Sequence, residues 1–446
     1  MILRIKYTWF KYSNVRLIMK KIVLSVLVVI ILSGMWGGLR FFALMEGWLL
    51  EPWAETENTA AFAKHLELEV NDNLKGNAAY ALIERGEIVY SHFVSTGKPV
   101  DEHSVFGVAS VGKWVTAMAV MRLVEQGVLD LDTPISQYLK RWQLPQSKFD
   151  NEQVTLRLLL SHTAGIEDGL GHDGFAPGKP IQPLTEHLTK AADADPGVSG
   201  RVVVTQPPGE SWDYSGGSYN LIQLIIEDTT QTRFQDAMHG LLFEPLGLEN
   251  TYFQVDRNDP LLAEYFGEGQ QVLDYPNYTS LAATGLYTNL TDMHKLMIAN
   301  FLLQSSDITT TPLLRKNSLT QMQQPEAFVS GQAIWGLGVM LFAPSDTGFI
   351  IGHGGKSPYL NSTVRFDPKT GDGFIMFQTG NEEAFASDMA TQWTLWQTGK
   401  PDIYLVNNRI DEVFQDIILG TLFIVIAVVA YWVWRRRRQK SKSSNV

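Results

Sequence analysis

Phe106-Gly107-Val108-Ala109-Ser110-Val111-Gly112-Lys113 sets a serine where a short apolar segment meets an amphipathic helix. Periodicity predicts that helix over residues 111–126, with Gly127 as its stop. A serine at a helix N-terminus gains an unsatisfied backbone N–H and a favourable dipole, both suited to a developing oxyanion. Lys113, three residues on, shares its helical face and comes within reach of the Ser110 hydroxyl. Serine needs a base to become a nucleophile at neutral pH. A lysine with its ordinary pKa of about 10.4 serves as one only if burial or a neighbouring charge lowers that value. A second S-x-x-K, Ser95-Thr96-Gly97-Lys98, is followed by Pro99 and preceded by a predicted hairpin, so Ser95 is read as a loop residue.

Strand signals lie on both sides of this stretch. Residues 51–73 read as a helical lead-in, with Phe62, Leu66 and Val70 on one stripe. Residues 78–83 and 88–94 read as a β-hairpin around Gly86. Residues 130–330 are mostly helices and loops. Strands return at 336–342, 349–352, 361–366 and 374–378, with the turn Asp367-Pro-Lys-Thr-Gly371 between the last two. A helix over 382–397 follows, carrying Phe385, Met389, Trp393 and Trp396. The predicted class is α/β (α+β): one antiparallel sheet built from both ends of the domain and flanked by helices, with a mainly helical lobe inserted. The cleft between the lobes is the expected site.

Two further segments carry chemistry. Pro208-Gly209-Glu210-Ser211-Trp212-Asp213-Tyr214-Ser215-Gly216-Gly217-Ser218-Tyr219 sets a tyrosine on a Gly-rich loop ahead of a helix over 221–228, where its phenol can enter a cleft or serve in packing. Gly352-His353-Gly354-Gly355 lies between two predicted strands. Small residues there let a substrate carbonyl approach the backbone, or mark a bulge with a bystander histidine.

Taken in order, these elements resemble the class C β-lactamase and penicillin-recognising serine hydrolase superfamily, in particular its β-lactamase-related, esterase-like branch. Leu158-Leu-Leu-Ser-His-Thr-Ala-Gly165, Phe243-Glu-Pro-Leu-Gly-Leu248 and Ala282-Ala-Thr-Gly-Leu-Tyr-Thr-Asn289 support the resemblance, which runs from about residue 60 to 398. It implies Ser110 as the acylated nucleophile, Lys113 as the residue that hydrogen-bonds it and shares the base role, and Tyr214 as general base. It also implies His353 as a possible second cation beside Tyr214, an oxyanion hole from the N–H groups of Ser110 and Lys356, and Gly216, Gly354 and Gly355 along the substrate path. It implies no metal and no organic cofactor. The family Asn of Y-x-N falls at Gly216, which weakens the expectation of β-lactam or peptide recognition and leaves an ester or amide acyl donor.

Composition narrows the alternatives. The 446 residues are 45% hydrophobic and 19% charged, and contain no cysteine. That excludes disulfides, zinc ribbons, iron–sulfur clusters and a Cys nucleophile. The net charge of −11 is uneven: seven Lys/Arg and no acid fall in residues 1–40, and six and none in 417–446. The middle holds 23 basic against 47 acidic side chains, a net of −24, which repels phosphate backbones and argues against nucleic acid as a partner.

Residues 22–39 and 417–434 are uncharged runs of 18, flanked by Lys20-Lys21 and by Arg435–Arg438. The expected organisation is a cytoplasmic tail (1–21), a transmembrane signal anchor (22–39), a linker (40–57) and the hydrolase-like domain (58–398). A linker (399–416), a transmembrane helix (417–434) and a basic cytoplasmic tail (435–446) follow. Both termini would be cytoplasmic and the domain periplasmic or extracytoplasmic, at a bacterial inner membrane. A cleaved signal peptide is the other reading of the first run, but no A-x-A-like site follows it. His172-Asp173 and Glu186-His187 lack the i, i+4 spacing of two helix-borne ligands, so no metal is expected. His162 is read as structural. The partners expected are a small-molecule or peptide/ester substrate and a lipid bilayer. The function classes left open are an esterase-like hydrolase, a D-amino-acid or peptidoglycan peptidase of the same fold, and a non-catalytic binding module.

Overall fold

Arg85 and Gly86 both adopt positive φ (51° and 87°), the geometry of a two-residue turn whose twist suits a β-hairpin. They join β1 (Ala78–Glu84) to β2 (Glu87–Val94) in the computed structural model, which describes residues 2–167, 170, 172–302, 313–381 and 384–443. The remaining strands of the main sheet come from the far end of the domain. They are β3 (Ala327–Val329), β4 (Gln332–Trp335), β5 (Met340–Ser345), β6 (Gly348–Ser357), β7 (Leu360–Phe366) and β8 (Gly373–Thr379). The order is β2-β1-β8-β7-β6-β5-β4-β3, antiparallel throughout, with Tyr80 opposite Met376 where the two ends of the chain meet.

Two strand expectations are corrected. Residues 336–342 are not one strand. Gly336–Val339 turns back on itself, with Gly338 at φ 78° and the Gly336 N–H bonded to the Val339 carbonyl at 2.9 Å. The hairpin of β3 and β4 carried no clear alternation. Its turn, Ser330-Gly331, has positive φ at both positions. The expected strand 349–352 also continues to Ser357, so His353-Gly354-Gly355 lies on a strand rather than between two.

Helix α1 (Thr59–Asn73) starts eight residues later than expected and buries Phe62, Ala63, Leu66 and Val70. The Phe62 ring stacks on Trp396 at 4.6 Å; Trp396 lies on the helix Phe385–Thr398, which covers one sheet face. That helix was expected to begin at Glu382, which lies outside the described residues. Thr391 and Thr394 of this helix meet Arg365 of β7, while the flanking Val364 and Phe366 join the core on the other face. Alternating strand residues thus serve two layers. The other face is filled by α2 (Val111–Glu125), where every residue from Val111 to Met121 is buried and Trp114 packs on Phe366 at 5.6 Å. Residues 130–326 supply the helical lobe, including α3 (Gly216–Thr230) and α4 (Leu281–Thr284).

These elements belong to one unit, Pro52–Thr398. The second unit combines Met1–Glu51 with Gly399–Val446. In it the helices Ile2–Met45 and Ile403–Ser443 run antiparallel, and they extend through much of what was expected as linker. Trp36 Nε1 donates to the Asp416 carbonyl at 3.1 Å, Arg40 pairs with Asp416, and Trp432 Nε1 donates to Ser25 Oγ at 2.7 Å. Gly420 is required here, because a Cβ would lie 2.0 Å from Trp36 Nε1. Both helices are long and apolar enough to cross a membrane.

Two glycines separate packing from backbone effects. A Cβ on Gly338 would meet the Ala117 Cβ at 2.2 Å, whereas one on Gly331 (φ 81°) meets nothing within 4 Å. Gly338→Ala should therefore cost at least about 3 kcal/mol and Gly331→Ala about 1 kcal/mol. Denaturant unfolding of the detergent-solubilised protein checks this, and equal losses would contradict it.

Candidate active site

Ser110 is the N-cap of α2, and the residue before it, Ala109, is forced to φ 46°. That turn presents Ser110 at partial exposure while Lys113, one helical turn on, is 1% exposed. Lys113 Nζ donates to Ser110 Oγ at 2.9 Å and to the Ala283 carbonyl at 2.7 Å. It also lies 5.0 Å from the ring centre of Tyr214 and 5.7 Å from that of Tyr219. The carbonyl comes from α4, whose Ala282 also accepts from Thr116 Oγ1 at 3.3 Å. Ala283 lies in the 282–289 segment, but no sequence signal gives its backbone oxygen this role, 170 residues from Lys113.

Tyr214 reaches the lysine because its loop is tied to the 158–165 segment. The Asp213 N–H bonds the His162 carbonyl at 2.8 Å, and the Ser215 N–H donates to His162 Nδ1 at 3.0 Å. The imidazole is 4.4 Å from the Tyr214 ring, centre to centre. His162 therefore positions the tyrosine, in line with its structural reading. Trp212 and Trp335 close the wall behind, with Trp335 5.7 Å from Tyr214 and 5.4 Å from His353. Trp335 was missed because its strand was missed.

On β6, His353 is 1% exposed, and its Nδ1–H donates to the Gly354 carbonyl at 2.6 Å. That bond leaves the Nε2 lone pair without a partner among the described residues. Burial, followed by the Lys113 ammonium, pushes the His353 pKa down to about 3. That shift runs against the expectation of a second cation beside Tyr214. A positive charge on Lys113 opposes a second one on His353.

The glycines have different reasons. A Cβ on Gly355 would lie 2.1 Å from the Val108 carbonyl oxygen, so its absence lets β6 close on the segment before Ser110. Ser362 Oγ seals the contact, donating to the same oxygen at 2.7 Å. Lys356 follows directly, exposed and paired with Asn361 of β7. A Cβ on Gly354 would face the other way from one on Gly355, toward Ser387 of the helix Phe385–Thr398, with nothing closer than 3.8 Å. Gly216 is different again: a Cβ there would sit 2.1 Å from His172 Cε1. His172, set aside above as a metal ligand, therefore packs against the position where the family carries its Asn.

The fold and this Ser-Lys helix place the chain among the serine hydrolases of the β-lactamase fold. It belongs to the beta-lactamase family, whose model matches residues 69–395. Esterase EstB of Burkholderia gladioli is 29% identical over 223 residues, covering 46% of this chain and 55% of EstB. Penicillin-binding protein 4* of Bacillus subtilis (strain 168) is 28% identical over 214 residues, covering 46% of this chain and 45% of that protein. The chain spans about half the length of these curated relatives. The octameric penicillin-binding protein homologue from Pyrococcus abyssi superposes with a TM-score of 0.63 at 21% identity, covering 77% of this chain and 78% of that one, a likeness of fold.

The buried imidazoles give a pH signature. His353 titrates near 3 and His162 well below 6.5, each chiefly through burial, against an ordinary 6.5 in the unfolded chain. Below pH 6.5 the unfolded state binds protons that the folded state refuses, so stability falls as pH falls. Going from pH 7.5 to 5.5 should cost about 1.4 kcal/mol for each of the two. Urea midpoints across that range read the slope, and His353→Asn should flatten it.

Proposed function

We propose that the protein is a membrane-anchored serine hydrolase that transfers the acyl group of an ester or amide to Ser110 and then to water. One observation carries this reading: the Nζ of a lysine with 1% exposure, held 2.9 Å from a partly exposed serine hydroxyl. A buried charge is costly unless it is bonded, and a structural role is better served by an apolar side chain.

In the proposed reaction Ser110 Oγ attacks the carbonyl carbon and its proton passes to the phenolate of Tyr214, which Lys113 stabilises. The oxyanion is received by the N–H groups of Ser110 and Lys356. The tetrahedral intermediate collapses as Tyr214 gives the proton to the leaving alkoxide or amine. Water, deprotonated by the same phenolate, then attacks the acyl-serine, releasing the acid and restoring Ser110. His353 acts as a neutral group whose bond to Gly354 fixes the strand beside the serine. The chemistry draws on no metal and no organic cofactor.

Gly216 supports an esterase-like preference, since the space a longer side chain would use is filled by His172. The similarity to penicillin-binding protein 4* motivates a second reading, a D-amino-acid or peptidoglycan peptidase. The two apolar helices support anchoring in a bilayer with both termini on the basic, cytoplasmic side and the domain outside it.

Ser110→Ala and Lys113→Met should each lower kcat/KM for 4-nitrophenyl butyrate by at least about 1,000-fold with melting temperatures preserved. Intact-mass spectra with a slowly deacylating ester should show an adduct on the wild type alone. Residual turnover in both variants would refute the assignment, and labelling by fluorescent penicillin would favour the peptidase. The absence of cysteine makes topology directly testable: Lys98→Cys should react with an impermeant maleimide once only the outer barrier is opened. Protection until the inner membrane is lysed would reverse the orientation.

A further inference from the structure

The contact between His172 and Gly216 has a chemical side as well as a steric one. Gly216 opens α3 two residues after Tyr214, so the imidazole stands beside the tyrosine loop. Its Cε1 and Nε2 edge is the one turned to Gly216, at 2.1 and 2.3 Å from where a Cβ would be. Nε2 is shielded from solvent and has no hydrogen-bond partner among the described residues, although part of the residue remains exposed. A shielded polar atom without a partner is costly, so a ligand group that supplied the missing bond would be favoured there.

The surroundings fix the charge of the group. Burial, then Lys113, pushes His172 down to about 3, with Asp193 opposing and His187 adding to the fall. One oxygen of the Asp193 carboxylate, Oδ1, is bonded to His187 Nε2 at 2.7 Å. At neutral pH the ring therefore offers an uncharged donor or acceptor. It suits an uncharged polar group, and offers a carboxylate a hydrogen bond but no ion pair.

We propose that His172 is the specificity-determining residue for the acyl group, its imidazole Nε2 hydrogen-bonding an amide or hydroxyl placed next to the scissile carbonyl. The assignment rests on the hydrolase reading of Ser110 and makes the preferred donors esters of N-acylated or hydroxylated short acids over plain alkanoates.

Two 4-nitrophenyl esters of equal acyl length test this on the detergent-solubilised full chain: N-acetylglycyl and pentanoyl. The measured quantity is the ratio of their kcat/KM values. Wild type should favour N-acetylglycyl. His172→Phe, which keeps a ring and loses the nitrogen, should lower the ratio at least tenfold. His172→Gln, which restores an amide, should return it to within threefold of wild type. If the His172 variants do not fold, Gly216→Ala decides, because its methyl displaces the imidazole and should lower the ratio in the same direction. A ratio indifferent to these changes overturns the assignment, as does a gain for bulky alkanoates in His172→Ala, which would make the ring a steric wedge. A wild type inert toward both esters overturns the hydrolase reading and this assignment with it, whereas an active wild type with an indifferent ratio overturns the assignment alone.

Discussion

The ammonium of Lys113 is the constraint around which the site is organised. A charge with 1% exposure persists only if its donors are met, and here a serine hydroxyl and the Ala283 carbonyl meet two of them. Its presence then dictates the protonation of its neighbours. His162, His172 and His353 are each disfavoured as cations, first by burial and next by Lys113. Lys113 thus sits among imidazoles held toward the neutral form, with its Nζ 5.0 and 5.7 Å from the ring centres of Tyr214 and Tyr219. In the proposed reaction this concentrates electrostatic stabilisation on the tyrosine and the serine.

Close backbone approach is the second organising feature. The domain brings three segments together at Ser110: the β6 strand, the tyrosine loop and the turn carrying Ala283. None is near the others in sequence. Gly355 lets the strand touch Val108, and His162 ties the loop to the helical lobe. The helix that carries Lys113 is buried at every residue from Val111 to Met121, so the lysine cannot reach solvent as an exposed lysine would.

Much of this was legible in advance. The hairpin around Gly86, the helix stopped by Gly127, the turn at Asp367–Gly371 and the stripe Phe385–Trp396 follow from local rules of twist, capping and periodicity. The strand breaks at Gly336–Gly338 did not, because an apolar run with glycines reads equally as strand or turn until Ala117 and Met322 are seen packed against it. Ser110 and Lys113 were readable from their spacing. The neutrality of His353 was not, since it depends on burial and on a lysine 240 residues away.

Sequence alone determined the helix that pairs Ser110 with Lys113, the tyrosine loop, the His-Gly-Gly segment, the two apolar termini and the absence of any thiol chemistry. These are properties of adjacent residues, and adjacency is what a sequence records. Tertiary structure alone decided which carbonyl holds the lysine, which histidines stay uncharged and that His172 fills the space at Gly216. Each is an effect of burial and of contacts across long stretches of chain, where desolvation sets the free energy and no local pattern encodes it.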